Sequence, residues 1–125
     1  MPQSVILVGH CNIDGPRLQR EIGSALPGAD VVRVNTTADL RRYLQERADL
    51  FLVNREPVGF DEEGLDIIRQ IHTECPDTKV MLVSDYPEAQ EAAVREGALP
   101  GFGKSDMGSE SLTDTVRQAL GDSYQ

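Results

Sequence analysis

The chain has no tryptophan, and aromatic residues make up 5% of it. That leaves little for a stacking platform of the kind that grips bases or sugars. It has two cysteines, Cys11 and Cys75, which is too few for a disulfide framework, and a reducing cytoplasm is the expected setting. Positive charge is also scarce. Lys and Arg number 12 against 21 Asp and Glu, giving a formal net charge of −9. A polyanion is repelled by such a chain, so neither nucleic acid nor an anionic membrane is expected as its partner. No apolar run approaches the roughly 20 residues of a membrane span, and Val5–Val8 is too short for a signal-peptide core.

What is present suits one compact domain. Leu, Ile, Val and Phe together account for 32 of the 125 residues, enough to bury a core, and residues 1–125 are expected to form a single domain.

Short apolar runs alternate with amphipathic stretches. Val5-Ile6-Leu7-Val8 reads as a strand buried on both faces. Asp14-Gly15-Pro16 reads as a helix start, with Asp14 capping the first amides. Leu18, Ile22 and Leu26 then share one helical face before Pro27-Gly28 stops the helix. Asp30–Val34 is a second strand. Thr36 or Thr37 caps a second helix carrying Leu40, Tyr43 and Leu44. Leu50–Val53 is a third strand, followed by a loop over 54–60 and a helix over 62–73 with Leu65, Ile68 and Ile71 inward. Val80–Val83 is a fourth strand. Pro87 opens a helix through Glu96, with Gly97 as its C-terminal cap. A weak fifth strand is placed at 101–103, and Ser109 caps a last helix bearing Leu112, Val116 and Leu120.

Strand–helix alternation of this kind implies an α/β fold, a doubly wound parallel sheet with helices on both faces. Ligand crevices in such folds lie beyond the carboxyl ends of the strands. The residues there are Gly9, His10, Cys11 and Asn12 after the first strand and Asn54, Arg55 and Glu56 after the third. Ser84, Asp85 and Tyr86 follow the fourth, and Gly103, Lys104 and Ser105 the fifth.

On these residues the whole chain resembles the receiver domain of response regulators in two-component signal transduction. The segment VMLVSDY places Ser84 on that family's hydroxyl position. EGALPGFGKSD places Gly97-Ala98 on its Gly-Ala pair and Lys104 on its lysine. The stretch from Ala48 to Ile71 carries its third strand, loop and helix start. The resemblance implies a five-stranded, flavodoxin-like (CheY-like) sheet in the order 2-1-3-4-5. It also implies docking through the fourth helix, fifth strand and fifth helix. Ala89, Ala92, Ala93 and Val94 are expected to make part of that face small and apolar.

The departures matter as much. Asn54 stands where the phosphoacceptor Asp belongs, and the acidic pair is replaced by Gly9-His10 or by His10-Cys11. The aromatic switch position falls on Gly101, and Ser105 replaces the proline after the lysine. Phosphoryl transfer needs an oxygen nucleophile and a Mg²⁺ ion held by carboxylates. Losing three carboxylates while keeping Lys104 leaves an expected pocket of net positive charge, which repels Mg²⁺ and tolerates an anion. Asn54 is then read as a static group bonded to Ser84 and Lys104. The local set His10, Cys11 and Asp14 lacks a second ligand pair and is not read as a metal site. GHCNIDG contains neither a glycine-rich phosphate loop nor the D-x-H-x-x-G arrangement of cobalamin domains, so no cofactor is expected.

The sequence therefore points to a pseudo-receiver. It is expected to be non-catalytic and to act by phosphorylation-independent contact with a protein partner or a second copy. The alternative is a sensor of an anion or small ligand at the strand ends.

Overall fold

The computed structural model describes residues 2–120. Its strands are β1 (Ser4–Val8), β2 (Asp30–Val34), β3 (Leu50–Asn54), β4 (Lys79–Val83) and β5 (Leu99–Phe102). Its helices are α1 (Asp14–Ala25), α2 (Thr37–Gln45), α3 (Gly64–Glu74), α4 (Pro87–Arg95) and α5 (Glu110–Leu120). The strands form one parallel sheet in the order β2-β1-β3-β4-β5.

Period-two alternation divides the core. Val5, Leu7, Leu50, Leu52, Met81 and Val83 face one way, onto Leu18 and Ile22 of α1 and Leu112 and Val116 of α5. Ile6, Val8, Phe51, Val53, Val80 and Leu82 face the other, onto α2, α3 and Ala93 of α4. The central strands are therefore buried on both sides, which is why they read as unbroken apolar runs.

Several local expectations hold. Thr36 is the cap of α2, its hydroxyl accepting from the Asp39 amide at 3.2 Å. Gly97 follows α4 with φ +107°. Others are corrected. Asp14 is the first residue of α1 rather than its cap. The cap position is Ile13, whose side chain makes no capping bond. β5 begins two residues earlier than expected, at Leu99, which pairs with Met81 of β4 before the ladder becomes irregular. A short 3₁₀ turn at Lys104–Asp106 follows β5. In α3, Ile67 is fully buried beside Ile68 and Ile71, whereas Leu65 is half-buried. The Ser109 hydroxyl donates to the Asp106 carbonyl before α5.

The face formed by α4, β5 and α5 is less apolar than its alanines suggest. Ala93 is buried in the core and Ala89 packs against it. The exposed apolar groups on that side are Val94 and Leu99, 44% and 37% accessible. Helix periodicity turns the two alanines, four residues apart, onto the sheet together.

Candidate functional site

The order of the strands reverses around β1 and β3, and their carboxyl ends open a crevice there. It is a cleft of about 530 Å³, lined by Cys11, Asn54, Glu56, Ser84, Asp85 and Lys104, among others. Three loops and the start of the 3₁₀ turn meet at it. Of the sequence-predicted residues Cys11, Asn54, Ser84 and Lys104 line it, whereas Gly9 and His10 do not, and the bonds differ from expectation.

Asn54, the last residue of β3, is 6% exposed. Its Nδ2 donates to the carbonyl of Gly9 at 2.9 Å and to that of Glu56 at 3.1 Å. It does not bond Ser84 or Lys104. Both facing atoms are carbonyl acceptors, which fixes the nitrogen on that side of the amide. The Gly9 carbonyl also accepts from the Val58 amide at 2.8 Å. The end of β1 is thereby sewn beneath the loop that follows β3.

Gly9 has φ +74°, a conformation that side chains other than glycine's adopt at a cost. A Cβ built there would collide with the ring and backbone of Pro57. The space next to Gly9 that a side chain needs is filled by this proline, a relationship that sequence order does not reveal.

His10 is buried and its Nε2 lies 2.9 Å from the Leu52 carbonyl. The carbonyl can only accept, so Nε2 carries the proton and Nδ1 is the bare nitrogen, which is buried with no hydrogen-bond partner among the described residues. Burial is the main cause that lowers the imidazole pKa from 6.5 to about 4. The Leu52 bond and Asp14 act upward, while Lys104 and Arg33 act downward. The ring is neutral at pH 7. The His10 carbonyl is gripped by Arg33 at 3.3 Å and Asn35 at 3.1 Å, two β2-side residues that sequence reasoning did not single out.

The partner of Lys104 is Asp14, the first residue of α1, rather than Asn54. Nζ lies 3.1 Å from Asp14 Oδ2. Partial burial raises the Asp14 carboxyl, yet the hydrogen bond and charge of Lys104, with a further hydrogen bond from Cys11, outweigh it, and the group titrates below the usual aspartate range. The Cys11 sulfur in turn accepts from the Asp14 amide at 3.3 Å.

The pocket is therefore not the positive site expected. Lys104 is neutralised by Asp14. Arg55 pairs with Glu56 at 3.1 Å and lies 4.7 Å from the centre of the Tyr86 ring. Asp85 adds a further acid to the lining, its Oδ1 accepting from the Ser105 amide at 3.2 Å and from the Ser105 hydroxyl at 2.7 Å. Ser84, also buried, accepts the Tyr86 amide at 3.1 Å and so shapes the turn into α4.

Gln90 is a third residue that sequence reasoning missed. Its Nε2 lies 2.9 Å from the Leu82 carbonyl, 3.1 Å from that of Ser84 and 3.3 Å from that of Phe102. Its Oε1 accepts the Gly101 amide at 3.0 Å. A polar side chain three positions from the alanine that buries α4 was the available signal.

These residues do not suit the Mg²⁺ ion of receiver chemistry. The ion takes carboxylate, carbonyl and water oxygens in octahedral geometry. Here one first-strand position has no side chain and no room for one, and the imidazole beside it is turned to Leu52. The nitrogen of the Asn54 amide is held by carbonyls. Among the described residues no group of three His, Cys, Asp or Glu side chains is placed to hold a metal.

A scan against models of protein families gives no match, and a search of curated proteins gives none. Solved structures do match. The chain is similar to a response regulator from Thermotoga maritima, with 25% identity and a TM-score of 0.78, covering 97% of this chain and 99% of that one. It is also similar to the signal receiver domain of a DNA-binding response regulator from Colwellia psychrerythraea, at 18% identity and TM-score 0.76, over 94% and 98% of the two chains. The receiver domain of NtrX from Brucella abortus gives 18% identity and TM-score 0.74, again over 94% and 98%. Sheet order, helix placement and these likenesses agree: the chain has the fold of a response-regulator receiver domain.

Proposed function

We propose that this chain is a signal-receiver module from which the phosphoryl chemistry has been removed. On this reading it is not an enzyme, and it acts in the cytoplasm by contact with a protein partner or a second copy of itself. One observation carries the reading most. The amide of Asn54 is spent on the carbonyls of Gly9 and Glu56, where a phosphoacceptor needs a free carboxylate oxygen. The filled space at Gly9 and the neutral His10 support it. No helix among the described residues is long and apolar enough to cross a membrane, and both cysteines are free thiols.

The contact surface in this reading is the face of α4, β5 and α5, with Val94 and Leu99 as its exposed apolar groups. The anion-sensor alternative loses its main support, because Lys104 is not a free cation. Sedimentation of the chain with and without acetyl phosphate and Mg²⁺, for wild type and for Val94→Asp/Leu99→Asp, tests the proposal, together with co-purification of partners from native extract. Association or partner capture should be indifferent to the phosphodonor and lost in the double variant. Association that appears on adding the phosphodonor would contradict the reading.

A further inference from the structure

The strand-end cleft has a chemical bias opposite to the anion site that its lysine suggests. Its cations are committed: Lys104 to Asp14, and Arg55 to Glu56 and the face of Tyr86. Beside the Ser84 hydroxyl, which accepts from Tyr86 and keeps its own proton to donate, it presents open acceptors on three residues. Asn54 is 6% exposed and lines the cleft, and with Nδ2 donating twice its Oδ1 has no partner among the described residues. Asp85 uses Oδ1 for Ser105 and leaves Oδ2 open. Glu56 uses Oε1 for Arg55 and leaves Oε2 open.

The rim is apolar. Val58 and Tyr86 line the cleft and are 48% and 53% exposed. A single long side chain with an apolar stem and a cationic tip matches this arrangement. Charge complementarity favours the same occupant, since Asp61, Glu62, Glu63 and Glu88 are exposed nearby on the loop after β3 and the start of α4, and the chain is acidic overall. An ammonium fits better than a guanidinium. The acceptors are single oxygens on separate residues, and neither Asp85 nor Glu56 has both oxygens free for a bidentate fork.

We infer that the cleft seats a lysine side chain from a basic segment of a partner protein, its ammonium on Asn54 Oδ1 and the open oxygens of Asp85 and Glu56, its stem under Val58 and Tyr86. This does not rest on docking at α4–β5–α5, and each can fail without the other.

The test is an amide NMR titration of the full chain with a short capped peptide holding one lysine between leucines, and with the same peptide carrying norleucine, arginine or glutamate instead. The lysine peptide should move the Asn54 side-chain amide and the backbone amides of Ser84 and Tyr86, and the effect should weaken with salt. Norleucine and glutamate should reduce affinity at least about tenfold, the worth of a charge-assisted hydrogen bond, and arginine should bind more weakly than lysine. Glu56→Lys, at an exposed position, should abolish binding without changing the unfolding temperature. The proposal is overturned if norleucine binds as well as lysine, if arginine binds as tightly, if the shifts fall on Val94 and Leu99 instead, or if inorganic phosphate moves the same resonances more strongly.

Discussion

The Asn54 side-chain amide donates to the Gly9 carbonyl at 2.9 Å and so ties the end of β3 to the end of β1. A carboxylate cannot make this bond. Asn54→Asp would set an oxygen against two carbonyl oxygens in a buried position, losing two hydrogen bonds and adding repulsion. We expect this single change to destabilise the fold by about 1–3 kcal/mol at pH 7, and by less at acidic pH where the new carboxyl is protonated. Urea denaturation at both pH values, read as the difference from wild type, checks this. Equal or greater stability of the variant at pH 7 would contradict the bonding described.

Restoring a carboxylate at Gly9 meets a second obstacle. An acid there would add the charge that Mg²⁺ requires, but the local structure opposes it. The backbone at Gly9 is left-handed and Pro57 fills the side-chain space. Gly9→Asp should cost roughly 3 kcal/mol or more. Gly9→Asp/Asn54→Asp should still show no Mg²⁺ binding by calorimetry. Tight binding by a stably folded double variant would show that the loop at Pro57 yields easily.

His10 gives a pH signature of known sign. Its folded-state pKa of about 4 lies below the ordinary 6.5, so below pH 6.5 the unfolded chain binds more protons than the folded one. Stability from this group is fully present above pH 6.5 and falls as the pH drops, with about 3 kcal/mol lost by pH 4. His10→Gln removes the titration and keeps a donor for Leu52. Its stability should fall less steeply than that of wild type between those pH values. Parallel curves would show that the ring is not buried neutral.

Much of the fold was legible because its central strands are buried on both faces and its helices carry four-residue apolar spacing. Val5–Val8 and Leu50–Val53 could be read in no other way once helices flanked them. Thr36 and Gly97 mark their helix ends by local chemistry alone. The site was legible as a set of positions but not as a set of bonds. Asp14 was read as a cap because it precedes a proline, and only the return of β5 brings Lys104 to it. Pro57 and Gly9 are 48 positions apart in the chain, and their contact is set by how the loop after β3 folds over β1. The acceptor bias of the cleft arises from the same kind of long-range pairing.

Gln90 predicts where the α4–β5 region is held. Its amide supplies bonds that the irregular β4–β5 ladder lacks. Ala93 is the one helix residue of α4 that is fully buried, so little apolar contact replaces them. Gln90→Ala should cost about 2–3 kcal/mol and speed hydrogen exchange at the Gly101 amide, while the β1 and β3 amides keep their protection. Unchanged exchange at Gly101 would show that the ladder holds without this side chain.

The central claim, a receiver fold without receiver chemistry, is tested most directly by intact-mass measurement after incubation with acetyl phosphate and Mg²⁺. The account predicts an unchanged mass, because no carboxylate stands at position 54 and the residues around it do not hold the metal. A stoichiometric, hydroxylamine-labile phosphoryl adduct on the wild-type chain would contradict it.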